Sequence, residues 1–69
     1  MLDAKVDTLL AVTETLNYTK AAQVLSLTQP AVSQHIRQLE SEYGVQIFRR
    51  GEKPLAMTEE GKILVQYAR

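Results

Sequence analysis

The sequence has no cysteine and only one histidine, and both scarcities narrow what the chain can do. Without cysteine it can form neither a disulfide framework nor a thiolate zinc site, which fits a reducing compartment such as the cytoplasm. The acidic residues are scattered over separate predicted elements, so we find no nucleophile, base and orienting group for a catalytic site and no set of metal ligands. The sequence therefore predicts a cytoplasmic protein that is not an enzyme and that binds no cofactor or metal.

The chain also lacks a long hydrophobic run. Its longest apolar stretch extends only from Leu9 to Val12, far short of the roughly 20 residues that cross a membrane. The acidic start at Asp3 is unlike the positively charged start of a signal peptide. We therefore expect no membrane partner.

The chain also has no excess of positive or negative charge, because eight basic residues balance eight acidic ones. Net charge therefore gives no indication of a nucleic-acid partner. The distribution is uneven, since residues 17–38 contain basic residues and no acidic one, and residues 43–58 hold three basic residues against one acidic residue. Such a chain could present one basic face; the alternative is that these are ordinary solvated charges.

The length and composition of the chain are those of a folded domain. Its 69 residues suffice for one small domain with one core. Hydrophobic residues make up 45% of the chain and charged residues 23%, which excludes a disordered or fibrous chain.

The first part of the sequence predicts two helices. Apolar residues recur every three or four positions over about residues 3–16, which is typical of an amphipathic helix. Asn17 is expected to end this helix in a left-handed conformation, and Thr19 to be the N-cap of a short second helix over residues 20–25. The predicted core stripe of the first helix comprises Leu2, Val6, Leu9, Leu10, Thr13 and Leu16.

A longer third helix is predicted after a three-residue break at residues 26–28. Thr28 is a suitable N-cap, and Pro30 stands in the first turn, where a missing amide costs little. Gly44 is expected to end the helix after Tyr43, since glycine adopts a left-handed conformation without penalty. Helical spacing places Val32, Ile36, Leu39 and Tyr43 on one side and leaves Pro30, Ser33, Gln34, Arg37 and Ser41 on the other.

The pattern then changes to two short strand-like runs, residues 45–48 and 55–57, separated by a turn at residues 49–54. We interpret these runs as a two-stranded hairpin with a basic tip. Thr58 is predicted to cap a fourth helix, which reaches Arg69 without a stop signal, so the chain is expected to end inside this helix. Its apolar stripe is Ile63, Leu64, Tyr67 and Ala68, and the aromatic rings expected in the core are Tyr43, Phe48 and Tyr67.

This order of elements predicts a mainly α fold, a winged helix-turn-helix with a three-helix core, a two-stranded β-hairpin wing and the start of a fourth helix. A DNA major groove admits one α-helix, whose polar side chains read base edges while phosphate contacts fix the register. The third helix, about residues 29–43, would lie in that groove. The wing, about residues 49–54, would contact the backbone or the minor groove. The order of elements thus favours sequence-specific binding to double-stranded DNA, whereas a polar helix face alone would indicate only solvation.

The candidate DNA-binding residues lie on the third helix and the wing. An amide offers a donor and an acceptor together and can pair with adenine through two hydrogen bonds. The predicted contacts are Gln29, Ser33 and Gln34 to base edges, Pro30 and Ala31 to a thymine methyl, Thr28 to a phosphate, Arg37 to a guanine or a phosphate, and Arg50 and Lys53 from the wing. His35 lies off this face, where a structural role is expected. The alternative function is a winged-helix module that binds proteins, which an apolar outer face on the third helix would favour.

At these residues the sequence resembles the amino-terminal domain of the LysR-type transcriptional regulators. The resemblance spans essentially the whole chain and is carried by Ala21, Ala22, Leu25, the run from Thr28 to Ser33, Ile36, Leu39, Glu40, Gly44, Phe48, Arg50 and the run from Thr58 to Gly61. By position it assigns base reading to Gln29, Pro30, Ser33 and Gln34, flanking contacts to Thr28 and Arg37, and wing contacts to Arg50 and Lys53.

The resemblance also implies a larger organisation. Residues 1–57 would be the DNA-binding domain and would read an interrupted inverted repeat near a promoter. Residues 58–69 would start a linker helix that pairs two subunits into a homodimer. A small-molecule effector would bind only in a carboxy-terminal domain that this sequence does not contain. Glu52 departs from the family, where the wing tends to be basic. Gln34 replaces a frequent arginine, so the preferred bases are expected to differ from those of relatives.

Overall fold

Four α-helices and one β-hairpin make up the part of the chain that the computed structural model describes, residues 3–49, 51 and 53–68. The elements are α1 (Ala4–Thr15), α2 (Tyr18–Leu25), α3 (Gln29–Tyr43), β1 (Phe48–Arg49), β2 (Ala56–Met57) and α4 (Glu59–Ala68). None of the described helices has the length and apolar character that crossing a membrane requires. The predicted winged helix-turn-helix architecture is confirmed.

The junction between α1 and α2 differs from the prediction. Leu16, and not Asn17, takes the left-handed conformation, with φ 49°. Asn17 is instead the N-cap of α2, and its side-chain oxygen accepts a hydrogen bond from the amide of Lys20 at 2.9 Å. Thr19 therefore lies inside the helix and does not cap it. Asparagine is among the strongest N-cap residues, so the left-handed conformation falls on the residue before it.

Both ends of α3 are as predicted. The hydroxyl of Thr28 accepts a hydrogen bond from the amide of Ala31 at 3.2 Å, and Gly44 ends the helix with φ 67°. Between α2 and α3, Ser26 takes a left-handed conformation and the amide of Leu27 donates to the carbonyl of Ala22 at 2.9 Å. These local bonds make the turn of the helix-turn-helix tight.

The core lies between the first three helices and is covered by the hairpin and α4. Its buried apolar residues are Leu9, Val12, Ala21, Ala22, Val32, Ile36, Leu39, Ile47, Phe48 and Val65. Phe48 is in the core as predicted, and the ring of Tyr18 meets it edge-on with 6.2 Å between centroids, which joins the start of α2 to the hairpin. Tyr43 and Tyr67 were expected in the core but are 57% and 86% exposed.

The stripe predicted for α1 is partly wrong. Thr8 and Val12 are fully buried, although neither was assigned to the stripe, whereas Leu16 is 40% exposed. The reason is that α1 packs against α2, α3 and α4, so its buried arc is wider than one stripe. Leu2 lies outside the described residues.

The hairpin is shorter than the two predicted runs. Phe48 pairs with Met57 and Arg49 with Ala56 in antiparallel register. Ile47 is excluded from the strand because its backbone bonds elsewhere: its amide donates to a carboxylate oxygen of Glu40 at 2.8 Å, and its carbonyl accepts from the amide of Thr58 at 2.9 Å. The segment before β1 therefore anchors to α3 and α4 rather than to β2.

The predicted cap of α4 is present. The hydroxyl oxygen of Thr58 accepts a hydrogen bond from the amide of Gly61 at 2.9 Å, and the same hydroxyl donates to the carbonyl of Gln46. Gly61 packs directly on the backbone of Ile47: a Cβ built on it would lie 3.0 Å from the Ile47 carbonyl carbon and closer still to the oxygen. This close approach brings α4 against the core.

Candidate nucleic-acid interface

The outer face of α3 carries the residues that the sequence predicted to read DNA. Because the helix buries Val32, Ile36 and Leu39 against the core, its opposite arc faces solvent. Exposed there or at the helix start are Thr28, Gln29, Pro30, Gln34 and Arg37, with Ala31 and Ser33 half-buried. The structure thus brings seven of the nine predicted contact residues onto one helix and its N-cap.

Both carboxylates of α3 are held by contacts with other parts of the fold. Glu40 accepts the amide of Ile47, and Glu42 pairs with Lys5 of α1. The hydrogen bond that the Lys5 ammonium donates to Glu42 raises the pKa of Lys5 above its ordinary value, and desolvation acts in the opposite direction. The outer arc of α3 is left with amides, hydroxyls and the guanidinium of Arg37. Such a surface suits the negative potential of a major groove.

The N-cap of α3 keeps a donor available. The oxygen of Thr28 accepts from the amide of Ala31, and an accepting hydroxyl still has its own proton to donate. At an exposed helix N-terminus, where the helix dipole is positive, a phosphate oxygen is the natural acceptor. Thr28 can therefore cap the helix and hold a phosphate at the same time.

Four further cations are exposed on other elements among the described residues: Lys20 on α2, Arg49 on β1, Lys53 in the hairpin turn and Lys62 on α4. Arg50, the other predicted wing contact, lies outside the described residues, as does Glu52. Lys20 was not among the predicted contacts. Its position could have suggested one, because α2 is the first helix of the helix-turn-helix and that helix crosses the DNA backbone in such proteins.

His35 lies beside the outer face and not on it, as expected. Its Nδ1 is 2.7 Å from the hydroxyl oxygen of Thr8 on α1. Thr8 is buried and also donates to the carbonyl of Ala4 at 3.0 Å. The partner of His35 was not predicted, because no local pattern in the sequence relates two residues on different helices.

A second surface of interest is an open groove between α1, the end of α3 and α4, with a volume of about 670 Å³. Its lining includes Val6, Leu39 and Leu64 and the two exposed tyrosines, Tyr43 and Tyr67. Ile63, which also lines it, is 54% exposed. Within residues 3–49, 51 and 53–68 no group of acidic or histidine side chains could hold a metal ion.

Comparison with known proteins points to one family. A family model described as "Bacterial regulatory helix-turn-helix protein, lysR family" matches residues 4–62. The chain is 45% identical over 58 residues to the HTH-type transcriptional regulator BenM of Acinetobacter baylyi, covering 84% of this chain and 19% of that protein. It is 47% identical over 53 residues to the RuBisCO operon transcriptional regulator of Allochromatium vinosum, covering 77% and 18%. The chain thus spans about a fifth of the length of these curated relatives.

Solved structures similar to this chain belong to proteins of the same kind. The crystal structure of the BenM DNA-binding domain in complex with benA site 1 DNA is similar with a TM-score of 0.91 and 40% identity, covering 99% of this chain and 76% of that one. A transcriptional regulator of the LysR family from Eggerthella lenta gives a TM-score of 0.88 and 51% identity, with 97% and 96% covered. Both similarities cover nearly the whole of this chain.

Proposed function

The chain belongs to the LysR family of bacterial regulatory helix-turn-helix proteins, and from that premise we propose that it is the domain with which a cytoplasmic transcriptional regulator reads double-stranded DNA. The observation that carries the proposal is the outer face of α3, polar and turned to solvent while both carboxylates of the helix are held elsewhere. A similar domain, that of BenM, was crystallised with DNA. The relatives are named as regulators and not as enzymes.

In the proposed complex α3 lies in the major groove of one half of an interrupted inverted repeat. Gln29, Ser33 and Gln34 read base edges, while Pro30 and Ala31 meet a thymine methyl. Phosphates are held by Thr28 at the helix start, Arg37 on its flank, Lys20 on α2, and Arg50 and Lys53 on the wing. Selecting bound duplexes from a random pool tests this proposal, since one enriched half-site is expected. Equal recovery of all sequences would contradict it.

We further propose that residues 1–57 form the DNA-reading unit and that residues 58–69 begin a linker helix through which two copies dimerise. The groove beside α4 supports this, because exposed Ile63, Tyr43 and Tyr67 form an apolar surface of the kind that a second α4 can cover. Two copies related by a two-fold axis would place two α3 helices on the two halves of the repeat. A small-molecule effector would bind a carboxy-terminal domain beyond this sequence.

Dimerisation can be measured on the chain itself. In sedimentation equilibrium we expect an average mass that rises with concentration, and replacing Tyr67 by glutamate is expected to weaken association by more than about tenfold, since aromatic anchors dominate such interfaces. Replacing Gln66 by glutamate adds the same charge one residue away on a different side of α4 and should change association less. A monomer mass independent of concentration would contradict the proposed interface.

A wing contact should affect all DNA sequences alike. Replacing Lys53 by alanine is expected to weaken selected and unselected duplexes equally and to reduce the slope of log affinity against log salt by about 1, because one phosphate contact is lost. The control is Lys62→Ala on α4, which removes the same charge from a side chain 3.9 Å from Glu59 and should leave the slope unchanged. A change in base preference with Lys53→Ala would place that residue at a base instead.

A further inference from the structure

Two polar contacts join α1 to the flank of α3, next to its outer face. One is the contact between Thr8 and His35, and the other is the ion pair between Lys5 and Glu42. His35 and Glu42 are two helical turns apart, about 10 Å along the axis. Two connections at this separation restrain both the rotation of α3 and the direction of its axis relative to α1.

The two connections differ in strength. Glu42 is exposed, and surface ion pairs contribute little because water and salt screen them. Thr8 is fully buried and His35 is half-buried, so the hydrogen bond between them is shielded and costly to break. Of the two polar contacts, the one between Thr8 and His35 therefore adds more to the restraint that the packed core already places on α3.

The two contacts of the Thr8 hydroxyl favour one direction for the hydrogen bond with His35. The hydroxyl of Thr8 has one proton, and the carbonyl of Ala4, 3.0 Å away, can only accept it. Nδ1 of His35 lies 2.7 Å from the same hydroxyl oxygen. If the Thr8 proton is donated to Ala4, a hydrogen bond between Thr8 and His35 requires that Nδ1 carries a proton and donates it to the Thr8 oxygen.

We propose that Thr8 and His35 are positioning residues for base reading: the hydrogen bond from His35 Nδ1 to the buried Thr8 hydroxyl fixes the rotation of α3 and hence the position of the adjacent Gln34. Neither residue touches DNA in this arrangement. The inference rests on the DNA-binding function proposed above. It assigns part of the sequence specificity to a contact inside the protein.

The first test compares two threonines of α1. Thr8→Val removes the contact, whereas Thr13→Val removes a hydroxyl that donates to the carbonyl of Leu9 within the same helix, at 2.8 Å. The measured quantity is the ratio of affinities for a duplex selected from a random pool and for a scrambled duplex. Thr8→Val is expected to lower this ratio about tenfold, the equivalent of one typical hydrogen bond, with the affinity for scrambled DNA retained. Thr13→Val should leave the ratio unchanged. Equal ratios in the two folded variants would overturn the proposal.

A conservative replacement provides a rescue. Asparagine places its side-chain amide nitrogen about where Nδ1 of histidine lies, so His35→Asn can still donate to Thr8, whereas His35→Leu cannot. We expect His35→Asn to keep the ratio within about threefold of the unchanged chain and His35→Leu to lower it about tenfold. A loss of the same size in both folded variants would overturn the assignment of the donor.

The proton can also be observed without any substitution. His35 is the chain's one histidine, so its ring ¹⁵N resonances are unambiguous in nuclear magnetic resonance spectra. At a pH where the ring is neutral we expect protonated Nδ1 and bare Nε2; a bare Nδ1, or a mixture of both tautomers, would overturn the proposal. If the unchanged chain does not distinguish selected from scrambled DNA, the proposed function itself fails. If it does and Thr8→Val keeps the ratio, only this inference fails.

Discussion

Replacing Gly61 by alanine is expected to lower the free energy of unfolding by about 2 kcal/mol. The added Cβ would collide with the carbonyl group of Ile47, which cannot move freely because its oxygen accepts the amide of Thr58 and its own amide is bonded to Glu40. Overpacking typically costs about 1–3 kcal/mol, and a contact this close to fixed backbone atoms is expected to cost about 3 kcal/mol. Alanine gains roughly 1 kcal/mol over glycine inside a helix, which leaves the net loss of about 2 kcal/mol. Thermal unfolding followed by circular dichroism should show a midpoint roughly 10 °C lower in a domain of this size.

Gly44→Ala is the matched control for this prediction. Gly44 has φ 67°, but a Cβ there would meet nothing within 4 Å. Gly44→Ala is therefore expected to lower the free energy of unfolding by about 1 kcal/mol, through strain of the left-handed backbone alone. If Gly61→Ala were instead as stable as the unchanged chain or more so, helix propensity would outweigh the contact, and α4 would not be held close to Ile47. Both variants are compared at one protein concentration, because dimerisation adds to apparent stability.

The parts of the fold that were predictable are those with local causes. Thr28 and Gly44 mark the ends of α3 through hydrogen bonds and backbone preferences that act within one turn, so the sequence alone locates the helix. The prediction that Asn17 takes the left-handed conformation was wrong for a related reason. Asparagine serves equally well as a left-handed residue or as an N-cap, and only the packing of α2 against its neighbours selects the second.

Exposure at the ends of helices could not be predicted in the same way. Tyr43 and Tyr67 follow the apolar spacing of α3 and α4, yet spacing gives only the angle around a helix and not where the core ends along it. Both rings lie past that point and line the groove. Two exposed aromatic rings that line one groove are what the proposed second subunit would cover.

The exposure of the polar face of α3 could be predicted from the sequence, whereas the contacts that support this helix could not. The polar arc of α3 follows from helical spacing, whereas the partners of Glu40, Glu42 and His35 come from other elements and from 7 to 37 residues away along the chain. Those partners remove carboxylates from the DNA-facing surface and restrain the helix. They explain how a chain of zero net charge presents a surface suited to DNA.

Replacing Gln34 by glutamate is expected to weaken binding to the selected duplex about a hundredfold while leaving the unfolding midpoint unchanged. The side chain is exposed at the centre of the outer face of α3, and the substitution keeps its shape. The amide donor is lost, which removes a base contact of about 1–3 kcal/mol, and a carboxylate is added where the potential of DNA is negative. Fluorescence anisotropy with a labelled duplex measures the affinities of the unchanged chain and of Gln34→Glu. Gln34→Ala loses the amide without adding charge, so its affinity should lie between those two.

The control for the added charge is Gln66→Glu, which makes the same chemical change at an exposed position of α4. It should reduce affinity by less than about threefold, because a single exposed charge away from the duplex is screened beyond about 10 Å at moderate salt. Repeating the selection with Gln34→Glu separates base reading from simple repulsion. A carboxylate accepts a hydrogen bond from the amino group of cytosine, so a side chain in the groove should shift the preferred base at one position of each half-site. If Gln34→Glu and Gln66→Glu weakened binding equally and kept the same preferred site, α3 would not be the helix that reads the bases.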